Sequence, residues 1–304
     1  MNLAEFDGWV RNELDAVESA LDAWVPADAP AGLGLAMRYG VLDGGKRLRP
    51  LLVLAACEAV GGLRHAAMRA ACAVELIHAY SLVHDDMPCM DNDVLRRGKP
   101  TVHVQYGEAQ AMLAGDAMQA LAFEVLTPLA DESAEARGDT VPPALQARLC
   151  GLLARAAGHA GMAGGQAIDL ASIGQPLKEN ALRDMHHRKT GALLQTSVLM
   201  GAACGPVSQA AWGALSTYGD ALGLAFQVVD DILDVTQMSE TLGKTAGKDL
   251  SNNKPTYVTI LGLDAARRHA DELRDKAQAA LARSGLRGAA WLSLLADKVV
   301  ERDN

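Results

Sequence analysis

Apolar residues recur at intervals of three and four along most of this chain, the spacing that gathers them on one face of an α-helix. Near the start, Leu3, Phe6, Val10, Leu14, Val17 and Leu21 predict an amphipathic helix over residues 3–24. The same spacing predicts helices over residues 50–60, from about 65 to the first acidic cluster, 105–126, 145–171, 182–203 and 208–235, with two more after 255. We find no sustained period-two alternation, hairpin turn, tandem repeat or linker. The pattern predicts one all-α domain covering residues 1–304.

The composition supports the all-α fold class and limits the kinds of partner that the protein could bind. Apolar residues make up 50% of the chain but aromatic residues only 4%, and an apolar content made largely of Ala and Leu is typical of close-packed helices. A formal charge of −9 argues against a nucleic-acid partner, because phosphate backbones bind net basic surfaces. An anionic substrate would therefore need a local basic cluster or metal ions.

The cellular setting follows from the cysteines and the apolar runs. The five cysteines are scattered without a Cys-x-x-Cys pair, so we expect small buried residues in a reducing compartment. The acidic N-terminal residues lack an apolar signal core, and the apolar runs are too short for a membrane span. We expect a soluble, cytoplasmic protein.

The first acidic cluster follows an apolar run that ends at Asp85 and Asp86. Pro88 interrupts the helix, because it lacks an N–H donor and disfavours α geometry in the residue before it. In a straight helix Asp85 and Asp91 would point about 120° apart, but a distorted end could bring Asp91 back beside Asp85. The alternative interpretation is that Asp91 and Asp93 belong to a polar loop.

The second acidic cluster, Asp230, Asp231 and Asp234, lies within another apolar run. On a helix Asp230 and Asp234 share a face, with Asp231 about 100° around the axis. The alternative is a solvated acidic helix end, but like charges among apolar residues are costly unless a cation compensates them. Carboxylates that share a cation with substrate oxygens and water suit Mg²⁺. We predict that both clusters bind metal.

Basic residues accompany these clusters in turns that contain Gly or Pro. The four groups are Lys46, Arg47 and Arg49; Arg96, Arg97 and Lys99; Arg188 and Lys189; and Lys244, Lys248 and Lys254. A basic run is often only a solvated surface, but in such turns side chains and backbone N–H groups can converge on phosphate oxygens. His78 lies seven residues before Asp85, on nearly the same helical face; it is either a buried core histidine or part of that site.

Five motifs occur in an order that resembles one enzyme family. They are Gly44-Gly-Lys-Arg-Leu-Arg-Pro50, Asp85-Asp-Met-Pro-Cys-Met-Asp91, Leu95-Arg-Arg-Gly-Lys-Pro-Thr101, Lys189-Thr-Gly191 and Asp230-Asp-Ile-Leu-Asp234. From about residue 40 to 255 the chain resembles the trans-isoprenyl diphosphate synthases, and in particular the bacterial farnesyl diphosphate synthases. The resemblance implies an antiparallel helical bundle around a deep central cavity, with the two aspartate motifs facing each other across its mouth, and a homodimer.

The resemblance also implies roles for individual residues. Asp85 and Asp91 would hold two Mg²⁺ ions and Asp230 a third, supported by Asp86, Asp231 and Asp234. The residues that would bind the allylic diphosphate are Arg96, Lys189, Gln227, Lys244 and Lys254. Those that would bind isopentenyl diphosphate are Gly45, Lys46, Arg49, His78 and Arg97. Lys189, Thr190 and Gln227 would stabilise the carbocation, and proton loss would follow condensation.

Product length is expected to depend on the cavity below the first aspartate motif. In the family, an aromatic residue at the position of Tyr80, together with a two-residue expansion between Asp85 and Asp91, marks bacterial enzymes that stop at fifteen carbons. The resemblance therefore favours (2E,6E)-farnesyl diphosphate, made from isopentenyl diphosphate with dimethylallyl and geranyl diphosphate. Geranyl or geranylgeranyl diphosphate is the alternative product.

Two other classes of protein need separate consideration. A terpene cyclase shares the helical cavity but lacks the site formed by Lys46 and Arg49, and a non-catalytic synthase subunit would be expected to lose one aspartate motif. The resemblance gives no firm role to Gln166 and Asp169. It also gives little support for a lid role of Arg302. Some relatives close the site with a more basic tail, whereas residues 299–304 of this chain contain one arginine.

Overall fold

The computed structural model describes residues 3–42, 44–129, 140–174, 178–236 and 256–302. The chain is all-α, as predicted. It divides into two compact units, Met1–Gly151 with Met200–Pro206 and Leu152–Leu199 with Val207–Asn304. The single domain predicted from the sequence stays a prediction.

The first half of the chain forms helices α1 to α6 and one small hairpin. The bounds are α1 Leu3–Trp24, α2 Leu33–Val41, α3 Leu48–Ala59, α4 Arg64–Asp85, β1 Leu95–Arg96, β2 Lys99–Pro100, α5 Val102–Tyr106 and α6 Glu108–Leu126. α4 packs against α3 and α6, and the side chains between them are mostly small and fully buried. Alanines allow helix axes to approach closely, so the Ala-rich composition produces this core.

The second half of the chain contributes the remaining helices. Their bounds are α7 Pro143–Ala157, α8 Met162–Ala171, α9 Glu179–His186, a π-helical turn His187–Gly191, α10 Ala192–Ala203, α11 Gln209–Thr236, α12 Tyr257–Leu261, α13 Leu263–Ser284 and α14 Ala290–Val300. In the second unit α11 packs along α13, and its buried face contributes Leu224, Val228 and Ile232 to an apolar cluster. This packing fixes the face of α11 that carries the second acidic cluster.

The predicted elements differ from the structure in several places. The π-helical turn divides the helix predicted over residues 182–203, and three helices, not the predicted two, are described after residue 255. The helix predicted over residues 145–171 is two helices, because the chain turns between Gly158 and Gly161 before α8 begins. Gly107, with a φ of 88°, likewise separates α5 from α6. The two-residue strands β1 and β2 form a hairpin that the sequence did not predict. Its turn is Arg97-Gly98, and a positive φ at both residues suits a tight hairpin turn.

All five thiols are free, but the expectation that every cysteine is buried holds only for Cys57, Cys72 and Cys204, because Cys89 is exposed and Cys150 is half-buried. By length and composition alone α4 could span a membrane, yet 72% of its most apolar window is buried within the protein. A helix in the core of a helical protein can be as long and as apolar as a membrane-spanning helix.

Candidate active site

The first acidic cluster folds back onto the end of α4. The backbone N–H of Asp91 donates to the carbonyl of Asp85 at 2.8 Å, and the N–H of Asp93 donates to the carbonyl of Asp86 at 3.1 Å. These bonds satisfy carbonyls that the helix end would otherwise leave unpaired. The prediction that a distorted end returns Asp91 to Asp85 is confirmed for the backbone.

Arg96 binds both carboxylate oxygens of Asp86 through three hydrogen bonds, of which two are short. Its Nη2 donates to Oδ1 at 2.6 Å and its Nε donates to Oδ2 at 2.8 Å. Burial raises the pKa of Asp86, while the hydrogen bonds from Arg96 lower it. Since Arg96 lies in β1 and Asp86 follows α4, this pair fixes the hairpin against the acidic cluster.

Arg97, the next residue, contacts the glycine turn before α3. Its Nη1 donates to the carbonyl of Gly44, and a Cβ at Gly45 would lie 2.7 Å from Arg97 Nη2. Gly45 also has a φ of 127°, where a side chain would be strained. The structure thus brings together two residues that the resemblance assigned to isopentenyl diphosphate.

Arg47, in the same turn, is buried and makes three bonds within the protein. It donates to Glu18 and Glu75 at 2.7 Å each and to the carbonyl of Val41 at 2.6 Å. A buried guanidinium whose three nitrogens each donate a hydrogen bond within the protein does not turn toward a ligand easily. Arg47 therefore stabilises the turn from inside, whereas its neighbours Lys46 and Arg49 are exposed and half-buried respectively.

His78 lies on α4, in a pocket that Arg47, Arg96 and Arg97 also line. Burial lowers its pKa well below the ordinary value, and the charges of Arg49 and Arg97 lower it further. A neutral imidazole can still donate or accept a hydrogen bond. His78 is therefore a neutral partner inside a cationic pocket.

Tyr80 is buried on α4, five positions before Asp85. Its ring meets the ring of His84 edge to face, with 5.7 Å between centroids. Burial raises the pKa of Tyr80, and the charge of Asp85 raises it further. The phenol thus occupies space near the first aspartate motif.

The second unit places Lys189 on the π-helical turn. Lys189 Nζ donates to Asp169 Oδ2 at 2.6 Å, and Asp169 is buried on α8. α8 can approach this closely because Gly165 has no Cβ; a Cβ there would overlap the backbone of Lys189. Single π turns inside helices occur often at functional sites, and this one aims Lys189 at a fixed carboxylate.

A chain of hydrogen bonds joins the same turn to α11. Thr190 Oγ1 donates to Gln227 Oε1 at 3.1 Å, and Gln227 Nε2 donates to Asp231 Oδ1 at 2.9 Å. The backbone N–H of Tyr257 donates to Asp231 Oδ2 at 2.8 Å. Asp231 is therefore engaged on both oxygens, and it fixes the orientation of the Gln227 amide.

Asp230, one residue earlier on α11, is held by Arg302. Arg302 Nη2 donates to Asp230 Oδ1 at 2.6 Å and to the carbonyl of Phe226 at 2.8 Å. Phe226 and Asp230 are four positions apart, so they share a helix face. A cation already neutralises the carboxylate that the sequence assigned to metal.

The acidic residues fit Mg²⁺ on their chemistry. Asp230 already attracts a cationic group, Arg302. Asp231, which hydrogen-bonds within the protein, is suited to support Asp230 as a metal ligand. Among the described residues, no group of three or more His, Cys, Asp or Glu side chains is arranged to hold a metal alone. The remaining ligands would be diphosphate oxygens and water, as Mg²⁺ prefers.

Comparisons with known proteins identify the family. A model of the polyprenyl synthetase family matches residues 31–284. The chain belongs to the polyprenyl synthetase family. It is 45% identical over 303 residues to the heterodimeric geranylgeranyl pyrophosphate synthase large subunit 1 of Arabidopsis thaliana, covering 99% of this chain and 80% of that protein.

Solved polyprenyl synthetase structures share the fold. An apo FPP/GFPP synthase from Zymomonas mobilis matches with a TM-score of 0.84 and 38% identity, covering 98% of this chain and 99% of that one. A geranyltransferase from Helicobacter pylori, complexed with magnesium and isoprenyl diphosphate, matches with a TM-score of 0.81 and 33% identity, covering 96% and 95%. The chain is thus a prenyltransferase of this family.

The sequence-predicted residues fall into three sets in this polyprenyl synthetase. The first unit carries Gly45, Lys46, Arg49, His78, Asp85, Asp91, Arg96 and Arg97. The second unit carries Lys189, Thr190, Gln227 and Asp230. Lys244 and Lys254 lie outside the described residues.

Sequence reasoning missed the partners of these residues. Nothing in local sequence indicated that Asp169 holds Lys189, that Arg47 supports its turn from inside, or that Arg302 meets Asp230. A usable signal existed for Asp169, since a carboxylate in a Gly-rich apolar helix needs a charged partner.

Proposed function

We propose that this protein is a Mg²⁺-dependent prenyl diphosphate synthase that joins isopentenyl diphosphate to an allylic diphosphate. The observation that carries the proposal is the hydrogen-bonded chain from Thr190 through Gln227 to Asp231. This chain links the turn that carries Lys189 to the helix that carries Asp230. In the proposal, Thr190 and Gln227 face the carbocation, while Lys189 and Asp230 serve the diphosphate.

The first step is loss of diphosphate from the allylic carbon. Lys189 and Arg96 would bind the departing oxygens, and their partners Asp169 and Asp86 hold both side chains in place before substrate arrives. Mg²⁺ at the aspartate motifs would neutralise the charge that builds on the leaving group. Groups positioned in advance stabilise developing charge without having to reorganise.

The second step is survival of the allylic cation until it is attacked. The hydroxyl of Thr190 and the amide oxygen of Gln227 would direct the negative ends of their dipoles at the cation. The bond from Gln227 Nε2 to Asp231 fixes the orientation of the amide, so that its oxygen points toward Thr190. Exclusion of water would prevent quenching.

Isopentenyl diphosphate would bind in the first unit. Arg97 is anchored at the glycine turn, and a neutral His78 would donate a hydrogen bond without adding charge. Lys46 and Arg49 complete the proposed cationic site. After condensation the released diphosphate is the proposed acceptor of the proton.

The product is the part of the proposal on which two indications differ. Overall similarity favours geranylgeranyl diphosphate, because the Arabidopsis relative is named for that product, and this supports the sequence alternative better than the farnesyl prediction. Buried Tyr80 near Asp85 is the specific observation that favours farnesyl diphosphate. Both products arise from the same chemistry with different numbers of additions.

The test is a purified-protein assay with Mg²⁺, isopentenyl diphosphate and dimethylallyl diphosphate, with products separated by chain length. Fifteen- or twenty-carbon diphosphates support the proposal, and activity that persists in excess chelator contradicts its metal dependence. Cyclic hydrocarbon would indicate a terpene cyclase. No product at any substrate or metal concentration would indicate a non-catalytic subunit.

We also propose that the protein acts as a cytoplasmic homodimer. Light scattering of the purified protein would test whether it forms a dimer.

A further inference from the structure

Arg302, immediately after α14, contacts α11 through three interactions. Besides the bonds to Asp230 and to the carbonyl of Phe226, its guanidinium carbon lies 4.0 Å from the centre of the Phe226 ring. The Arg302 side chain is 9% exposed, whereas that of Asp230 is 38% exposed. The arginine is thus buried against a carboxylate that still faces solvent.

The position of Asp230 makes this contact a competition. A carboxylate oxygen that accepts a charge-assisted bond at 2.6 Å is not available to a divalent cation in the same geometry. Two positive groups close together also repel each other. A metal ion arriving at Asp230 would therefore encounter a resident cation.

The contact also has a built-in cost. Arg302 Nε is buried and has no hydrogen-bond partner among the described residues, and a buried donor left unpaired costs free energy. The guanidinium is therefore held by Nη2 and the Phe226 ring rather than by all its donors. Such a contact can hold Asp230 and still be displaced.

We propose that Arg302 is a positioning residue for the second aspartate motif, where it serves as the counter-ion of Asp230 until a divalent cation replaces it. The proposal rests on the metal role that the proposed function gives to Asp230. Its consequence is that metal binding at Asp230 releases Arg302 from α11 and loosens the backbone at Glu301. Arg302 thereby sets the affinity of the site for metal.

The first experiment measures Mn²⁺ binding by electron paramagnetic resonance, using the full-length protein, inorganic diphosphate and no prenyl substrate. Arg302→Gln should bind Mn²⁺ about three- to tenfold more tightly, because the competing charge is lost from a partly solvated pair. Arg302→Lys should fall between the two, since it keeps the charge but not the planar guanidinium. Exposed Arg287 provides the control, and Arg287→Gln should leave the affinity unchanged.

The second experiment follows amide hydrogen exchange at Glu301, whose N–H bonds to the carbonyl of Asp297. Mn²⁺ with diphosphate should speed exchange there in the wild-type protein. In Arg302→Gln exchange should already be fast and should not respond. A merely structural role for Arg302 would give no response to metal in either protein.

Unchanged or weaker Mn²⁺ affinity in a folded Arg302→Gln protein would overturn the proposal. Weaker affinity would mean that Arg302 assists metal binding and does not compete with it. Asp230→Asn in the same assay separates this failure from that of the proposed function. If Asp230→Asn binds Mn²⁺ like the wild type, Asp230 is not a metal ligand, and the metal role that the proposed function gives to Asp230 fails together with the role of Arg302. If only Asp230→Asn loses affinity, the metal role stands and the role of Arg302 is wrong.

Discussion

His186 illustrates what burial does to a single titratable residue. Its ring stacks on that of Tyr257 with 5.7 Å between centroids, and neither ring nitrogen has a hydrogen-bond partner among the described residues. Burial lowers the pKa of His186 to about 4, while nearby Asp169 raises it and Lys189 lowers it. The imidazole is therefore neutral at pH 7 and packs as an aromatic ring beside the Lys189 ion pair.

This neutrality predicts acid sensitivity. Between the unfolded pKa of about 6.5 and the folded pKa of about 4, the unfolded chain binds the additional proton, so stability falls as pH falls. Moving from pH 7 to pH 5 should cost about 2 kcal/mol through this group. In His186→Phe that part of the loss should disappear, as urea unfolding at the two pH values would measure. An equal loss in both proteins would contradict a buried neutral His186.

Tyr80 predicts product length at the same scale. Tyr80→Ala should lengthen the main product by at least one five-carbon unit, because it removes a buried ring near Asp85. Tyr80→Phe keeps the ring and should leave the length unchanged. Chromatography of the products measures both. If Tyr80→Ala folds and its product length does not change, Tyr80 does not limit elongation.

At the scale of elements, glycines let the π-helical turn sit against its neighbours. A Cβ at Gly223 on α11 would lie 2.8 Å from the Cα of Gly191 in the turn. Backbone cannot move aside as a flexible side chain does. The packing of α11 thus holds Lys189 and Thr190 in register with Gln227.

Gly223→Ala should therefore destabilise the protein by about 1–3 kcal/mol through overpacking. The same helix offers the control, because a Cβ at Gly213 would have no atom within 4 Å. Gly213→Ala should be neutral or stabilise by up to about 1 kcal/mol through helix propensity. Urea unfolding compares the two. Equal effects would mean that the turn tolerates movement of α11.

At the scale of the whole molecule, the proposed function requires both aspartate motifs to serve one reaction. Asp85→Asn and Asp230→Asn should each lower kcat by about 10²-fold or more, since each removes stabilisation of developing charge. If both act on one diphosphate, the double variant should lose less than the product of the single effects. Steady-state kinetics at saturating Mg²⁺, with circular dichroism to check folding, measures this. Multiplying effects, or near-normal rates in the single variants, would contradict a shared role.

The sequence predicted the helices with strong local periodicity closely. α1 begins and ends as predicted, and α11 differs by one residue at each end, because the apolar spacing that defines these helices is local. The break between α7 and α8 was not predicted, since glycines at such positions also occur inside helices. The hairpin was missed because Arg97 adopts a positive φ that its residue type does not favour.

The sequence by itself determined the fold class, the family and the residues that carry its motifs, because periodicity and motif order are written along the chain. Only the tertiary structure decided their partners: Asp86 for Arg96, Asp169 for Lys189, and Arg302 for Asp230. The last two pairs join residues 20 and 72 positions apart. Such ion pairs depend on how helices pack, and no local pattern encodes the distance between two side chains that meet only after folding.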